Sequence, residues 1–395
     1  MKSMSRHTAH SLKRGSSAAL VFGLAAFAAV AVPAAASASA GGSSVTGHVY
    51  VNDKTAGTNT IGAFDRHADG TLTPEPGSPF PAGGAGTGAG LASQGAIQFA
   101  AGGRLVLAAD AGSNQISVLR VNRNGSLSAV PGGVVSSGGA TPVSIAVHGS
   151  LVYVANAGTA ATNYTGFRLL GGHLFRIPGS TVTLPSAAQP GDVLFNGTGT
   201  KLVGTRVGTS QIDSFTVGFG GRLTPAHGSP FQAQGLGPFG SEFRPTNPSQ
   251  LFVSNAHNTA TDSGTVSAFT DSSRGILTSV AGSPFADDQM APCWVEITHD
   301  GQFLFTVNTA SGTISRFSIA AGGKLTLLGS TPVGATGGVG AVDARLSPDG
   351  RYLYVDESKV GSVGIFAVHG GSLTELSSSP VKLPAGATPA GVIAS

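Results

Sequence analysis

The chain has 395 residues, of which 60 are glycine and only 10% are charged. That balance excludes a highly charged disordered polymer and suits many short strands joined by tight turns. The single cysteine, Cys293, excludes an internal disulfide, so the fold must be held by its core and topology.

Lys2, Arg6, Lys13 and Arg14 make a basic start without an acid, residues 16–32 run apolar and small, and Pro33 breaks that run before Ala38-Ser39-Ala40. This is the order of a secretory signal peptide, and the apolar run is short for a spanning helix of ~20 residues. Residues 1–40 are therefore expected to direct export and to be cleaved, leaving 41–395 as a secreted domain without a membrane span. Four of the 22 basic residues and none of the 19 acidic ones fall in that segment, so the remainder carries a net charge of −1. No basic surface for phosphate backbones is expected, and nucleic-acid binding is not predicted.

The mature part repeats. A strand, a Gly and then x-Leu recur at Leu72, Leu127, Leu174, Leu223, Leu277, Leu325 and Leu373, spaced 55, 47, 49, 54, 48 and 48 residues apart. That period is the ~40–50 residues of a four-stranded propeller blade. The pattern predicts an all-β, seven-bladed β-propeller of four-stranded antiparallel blades.

The first blade opens at Gly47-His48-Val49-Tyr50-Val51, which reads as a second strand rather than an innermost one. Gly77 to Phe80, Gly228 to Phe231 and Gly282 to Phe285 repeat Gly-Ser-Pro-Phe, which is expected on outermost, edge-protecting strands. Blade six reads as Val295-Glu296-Ile297, a turn at Thr298 to Gly301, then Phe303 to Val307 and Thr313 to Ile319. Blade seven shows an inner strand at Ala341 to Leu346, a turn at Ser347 to Arg351, and strands at Tyr352 to Asp356 and Ser362 to Val368. Thr388 to Ile393 then reads as an inner strand with nothing after it, so the C-terminal strand is expected to close the ring against the first blade. A closed ring needs no partner to cover its edges, and a monomer is expected.

Ser347-Pro348-Asp349-Gly350-Arg351-Tyr352-Leu353-Tyr354-Val355, Leu251-Phe252-Val253-Ser254-Asn255 and the Gly-x-Leu phrase resemble the lactonase-type seven-bladed propellers. This is the family of 6-phosphogluconolactonases and carboxymuconate-lactonizing enzymes, and the resemblance spans residues 47–395. It implies hydrolysis of a lactone ring. The family's His-x-His before the inner strand of blade three is replaced here by Thr141-Pro142-Val143-Ser144, and its Pro-Arg-His before blade four by Pro190-Gly191-Asp192. The acid that the family carries after the next strand is replaced by Arg206. Arginines of blades five and six are Ala256 and Cys293, while Asn255 and His257 of the blade-five motif remain. Bidentate arginines that would grip a phosphorylated or polycarboxylate ring are thus missing.

The loops entering the inner strands and those joining second to third strands open on one face, where Asp53, Asp110, Asp192, Arg206, Glu242, His257, Trp294, Asp343, Asp356 and Glu357 are expected. Metal-independent hydrolysis needs a base for water and a cation for the carbonyl oxygen. His257 or Glu242 would be the base and Arg206 the cation. Asp192, Asn255, Trp294 and Asp343 are the candidate ligand-binding residues, with Asp192, Trp294 and Asp343 aligned at one level of the mouth. The histidines stand singly, without a zinc motif, so neither metal nor cofactor is predicted. Cys293 reads as a buried small hydrophobe. The alternative function is a non-catalytic extracellular propeller that binds a small ligand or a protein.

Overall fold

The computed structural model describes residues 43–91, 93–258, 260–334 and 340–395; the signal segment expected at 1–40 lies outside them. Seven antiparallel sheets form one ring. Blade two is typical: Ile97–Ala100 is innermost, followed outward by Leu105–Asp110, Gln115–Val121 and Leu127–Ser136. Inner strands of blades three to seven are Pro142–His148, Pro190–Phe195, Pro238–Arg244, Pro292–Ile297 and Ala341–Leu346. Among the described residues the only helical elements are three 3₁₀ turns of three residues each, and no helix is long and apolar enough to cross a membrane.

The ring closes as the two chain ends predict. Val392–Ala394 is the inner strand of blade one and pairs antiparallel with Val45–Asn52, with Val49 opposite Ala394 and Val51 opposite Val392. Val392 and Ile393 are fully buried, which stabilises the closure by about 1.5–3 kcal/mol per side chain. Arg66 Nε adds a hydrogen bond to the Ser395 carbonyl at 2.9 Å.

The recurrent glycine of the Gly-x-Leu phrase has a physical cause. Gly70, Gly125 and Gly221 adopt φ of +83°, +87° and +84°, a region costly for residues with a Cβ. Their carbonyls accept the hydroxyls of Tyr354, Tyr50 and Tyr153 from the preceding blade, at 3.2, 2.8 and 2.8 Å. A Cβ on Gly70 would run into the Tyr352 ring, and one on Gly125 into the His48 ring. The phrase therefore marks the seams between blades, and its leucines begin or lie within the outer strands.

The Gly-Ser-Pro-Phe repeat is not inside an edge strand. It forms the bend between two halves of the outer strand, such as Leu72–Pro74 and Phe80–Gly86 in blade one. Proline fits that bend because no ladder donor is needed there. The serine restores the ladder: Ser78, Ser229 and Ser283 Oγ accept the N–H groups of Ala63, Ser214 and Ala268 at 2.8, 3.0 and 2.8 Å.

Candidate functional site

In blades two, four, five and six the second strand ends in a polar residue that is tied to the third strand two residues past its partner. Asp110 accepts from Ser117 Oγ, Asn255 Nδ2 donates to Ser267 Oγ, and Asn308 Nδ2 donates to Ser315 Oγ. Arg206 is the basic member of this set. Its Nε and Nη2 donate to Asp213 Oδ2 and Oδ1, both at 2.6 Å, in a pair whose side chains are 12% and 2% exposed. Burial still holds the Asp213 carboxyl above its ordinary value, so the guanidinium offsets the desolvation without overriding it. Arg206 and Asn255, expected at the site, thus fasten strands within blades four and five. Glu357 does the same through Ser362 Oγ at 3.0 Å, and Asp53 through Thr60 Oγ1 at 2.9 Å.

The tunnel mouth is closed by the chain itself. Ser93-Gln94-Gly95, just before the inner strand of blade two, reaches across the ring. Gln94 N–H donates to the Gly191 carbonyl at 3.0 Å and Gln94 Nε2 to the Ser241 carbonyl at 2.9 Å. Gln94 Oε1 accepts from Val295 N–H at 3.0 Å, and Trp294 Nε1 donates to the Ser93 carbonyl. Gly95 N–H donates to Asp343 Oδ2 at 3.2 Å, and its carbonyl accepts from Ile145 at 2.9 Å. Three residues therefore bind blades three to seven. Gly240 makes room, since a Cβ there would strike Gln94 Oε1. Lys54 supports the same loop: it is buried, its Nζ donates to the Ala89 carbonyl at 3.0 Å, and burial pushes its ammonium down to about 7.

Asp192, Trp294 and Asp343 do share one level of the inner strands, as their spacing predicted. They are 2%, 3% and 1% exposed. Asp192 accepts Ser144 Oγ from blade three at 3.0 Å and Ser241 N–H and Oγ from blade five at 3.1 and 2.6 Å. Burial raises the carboxyls of Asp192 and Asp343 to about 6 and about 7. Trp294 packs edge-on against Phe239 with centroids 5.3 Å apart. These three residues hold the ring and its plug together and present nothing to a ligand at the mouth.

One level below, Glu242, Glu296 and Arg345 are equivalent positions on blades five, six and seven. Arg345 Nη1 lies 3.2 Å from Glu296 Oε2. Burial, and then the Glu296 charge, push the Glu242 carboxyl well above the usual carboxylate range. The cation whose charge bears on Glu242 is Arg345, which opposes that rise, and not Arg206.

His257 lies elsewhere. Its backbone N–H bonds Leu236 beyond the end of the inner strand, six residues from Glu242, roughly 15–20 Å along extended chain. The structure does not bring Arg206, Glu242 and His257 to a common point. Instead, the exposed His257 lines a cleft of about 250 Å³ on the face of the plug. Leu91 of the plug loop, Val143, Ala157, Pro190 and Val207 form apolar walls, and Thr141 and Gln189 supply neutral polar groups. Thr141 and Gln189 sit at left-handed φ of 52° and 43°, just before the prolines that start their inner strands. Sequence reading overlooked both residues; the X-Pro start shared by blades three to six was the available signal. A larger cavity of about 460 Å³ between blades two and three is lined by Arg104 and Arg120, with no carboxylate or imidazole.

Cys293 is buried as expected, and burial pushes its thiol up to about 11.

The family described as lactonase, 7-bladed beta-propeller, matches residues 243–389, from blade five to the C-terminal segment. No curated protein matches in sequence. A structure of the Pseudomonas aeruginosa periplasmic gluconolactonase superimposes with a TM-score of 0.67 at 17% identity, covering 88% of this chain and 98% of that one. A candidate 6-phosphogluconolactonase from Bacteroides fragilis gives 0.69 at 19% identity, covering 88% and 98%. One from Bacteroides uniformis gives 0.69 at 18%, covering 88% and 99%. At these identities the superpositions establish the shared fold. Together with the family match they bear out the resemblance to the lactonase-type propellers.

Proposed function

With that likeness as premise, we propose that this chain is an exported lactone hydrolase acting on a small ring of low charge in the cleft beside the plug. One observation carries the reading. An exposed imidazole, His257, borders an apolar cavity of about 250 Å³ that also holds an amide, Gln189, and a hydroxyl, Thr141, neither bonded by its side chain among the described residues. No guanidinium lines it, which disfavours phosphorylated rings.

In the proposed reaction His257 takes a proton from water as the water oxygen bonds to the lactone carbonyl carbon. The Gln189 amide and Thr141 hydroxyl donate to the carbonyl oxygen as it gains charge. The ring C–O bond then breaks, and the imidazolium returns the proton to the departing alkoxide, leaving a hydroxy acid. Apolar walls favour the uncharged ring over the ionised product. No metal takes part in this sequence. Export rests on the signal-type order of residues 1–40.

Turnover of unphosphorylated five- and six-membered lactones tests the proposal. Hydrolysis is expected to persist in EDTA and to fall about 10²–10⁴-fold in His257→Ala. A second reading, binding without turnover, is favoured by the number of polar residues engaged within the ring. Saturable lactone binding at the cleft with no hydrolysis above background would establish it and end the first.

A further inference from the structure

We propose that His48, Asp65 and Glu75 of blade one form a binding site for a divalent transition metal of the zinc class. One imidazole nitrogen and one oxygen from each carboxylate lie within 4.8 Å of one another, close enough for a single ion to reach all three. His48 and Asp65 are direct cross-strand partners. Their Nδ1 and Oδ1 atoms are 3.2 Å apart, yet Nδ1 is buried and makes no hydrogen bond.

Glu75 is the buried member of the three. It is 3% exposed, and its hydrogen bond from Asn124 Nδ2 of blade two is long, at 3.3 Å. The repeat supplies an internal control. Glu75 N–H donates to the Ala63 carbonyl of the third strand. Ile177, Ala226, Val280 and Leu376 make the same bond to Gly166, Ser214, Ala268 and Ile365 in blades three, four, five and seven. All four are apolar. Blade one alone among these places a carboxylate in the seam, beside a second carboxylate. Two buried carboxylates that both ionise are compensated by a cation or a metal ion. Arg66, next along the strand, spends its Nε and Nη2 on the Ser395 and Thr46 carbonyls at 2.9 and 3.3 Å, and its buried Nη1 bonds none of the described residues.

One nitrogen and two oxygens make a borderline donor set. Calcium prefers six to eight oxygens, whereas zinc, cobalt and nickel accept imidazole with carboxylates and complete their shells with water. Sequence reading missed the site because its residues stand 17 and 10 positions apart and meet only when strands pair. The place also suggests its purpose. His48 N–H donates to Ser395 Oγ at 3.0 Å, and Ser395 N–H to the His48 carbonyl at 2.8 Å. An ion here would tie two strands and the outer bend of the blade that the C-terminal strand closes, away from the cleft around His257.

The experiment uses the mature chain stripped with EDTA. Zinc titration by calorimetry is expected to show one site with micromolar or tighter Kd, and zinc, unlike calcium, is expected to raise Tm. Glu75→Gln and His48→Ala are each expected to weaken zinc binding at least about tenfold, and Asn124→Ala by about tenfold or less. Cobalt added to wild type should give a visible d–d band that folded Glu75→Gln lacks, which separates lost ligation from lost folding. A folded, stripped wild-type protein that takes up no zinc at about 1 mM would overturn the proposal. So would a Tm shift of equal size in wild type and Glu75→Gln.

Discussion

The tunnel mouth and the cleft beside it both carry polar side chains but engage them in opposite ways. At the mouth, Asp192, Asp343 and Trp294 bond to Ser144, Ser241, Gly95 and Ser93. In the cleft, the side chains of Thr141, Gln189 and His257 face a cavity and make no hydrogen bond among the described residues. A polar residue on the functional face of a propeller is therefore not yet a site residue. What separates the two groups is whether a neighbouring blade already satisfies it.

Substitutions can break or sharpen that contrast. The largest loss of stability is expected for Arg206→Ala, about 3–5 kcal/mol, because it strands the buried Asp213 carboxylate. Chemical denaturation measures it; a change below about 1 kcal/mol would contradict the strand-fastening role. Asp192→Ala should cost about 2–3 kcal/mol by leaving Ser144 and Ser241 donors unpaired. The activity of its folded fraction should match wild type.

A smaller effect should appear with pH. The Asp192 and Asp343 carboxyls are raised by burial from 3.8 to about 6 and about 7. In that window the folded state binds more protons than the unfolded state. Their contribution is therefore fully present below about pH 4 and is lost as pH rises towards 7. Asp343→Asn should flatten this part of the Tm-against-pH curve, and an unchanged slope would count against it. His257→Ala should be the mildest for stability, within about 0.5 kcal/mol, because the side chain is exposed.

The ring was legible in the sequence because its marks are local and repeated. Gly70, Gly125 and Gly221 recur because seam carbonyls and left-handed turns require them, and the chain ends match because they share one blade. The site was less legible because side-chain engagement is not periodic. Arg206 reads as a free cation until Asp213, seven residues on, is seen to occupy it. The plug was hidden for a similar reason. Ser93-Gln94-Gly95 has an ordinary loop composition, and its partners lie as far as 248 residues away. Trp294 shared the level predicted for it with Asp192 and Asp343, but the same plug covers that level.

The most direct test is the kcat/KM of folded His257→Ala and Asp343→Asn on one unphosphorylated lactone, measured beside wild type. A loss of about 100-fold or more in His257→Ala, with Asp343→Asn within about threefold of wild type, is the predicted result. An unaffected His257→Ala, or a loss confined to Asp343→Asn, would move the chemistry into the tunnel and contradict the cleft.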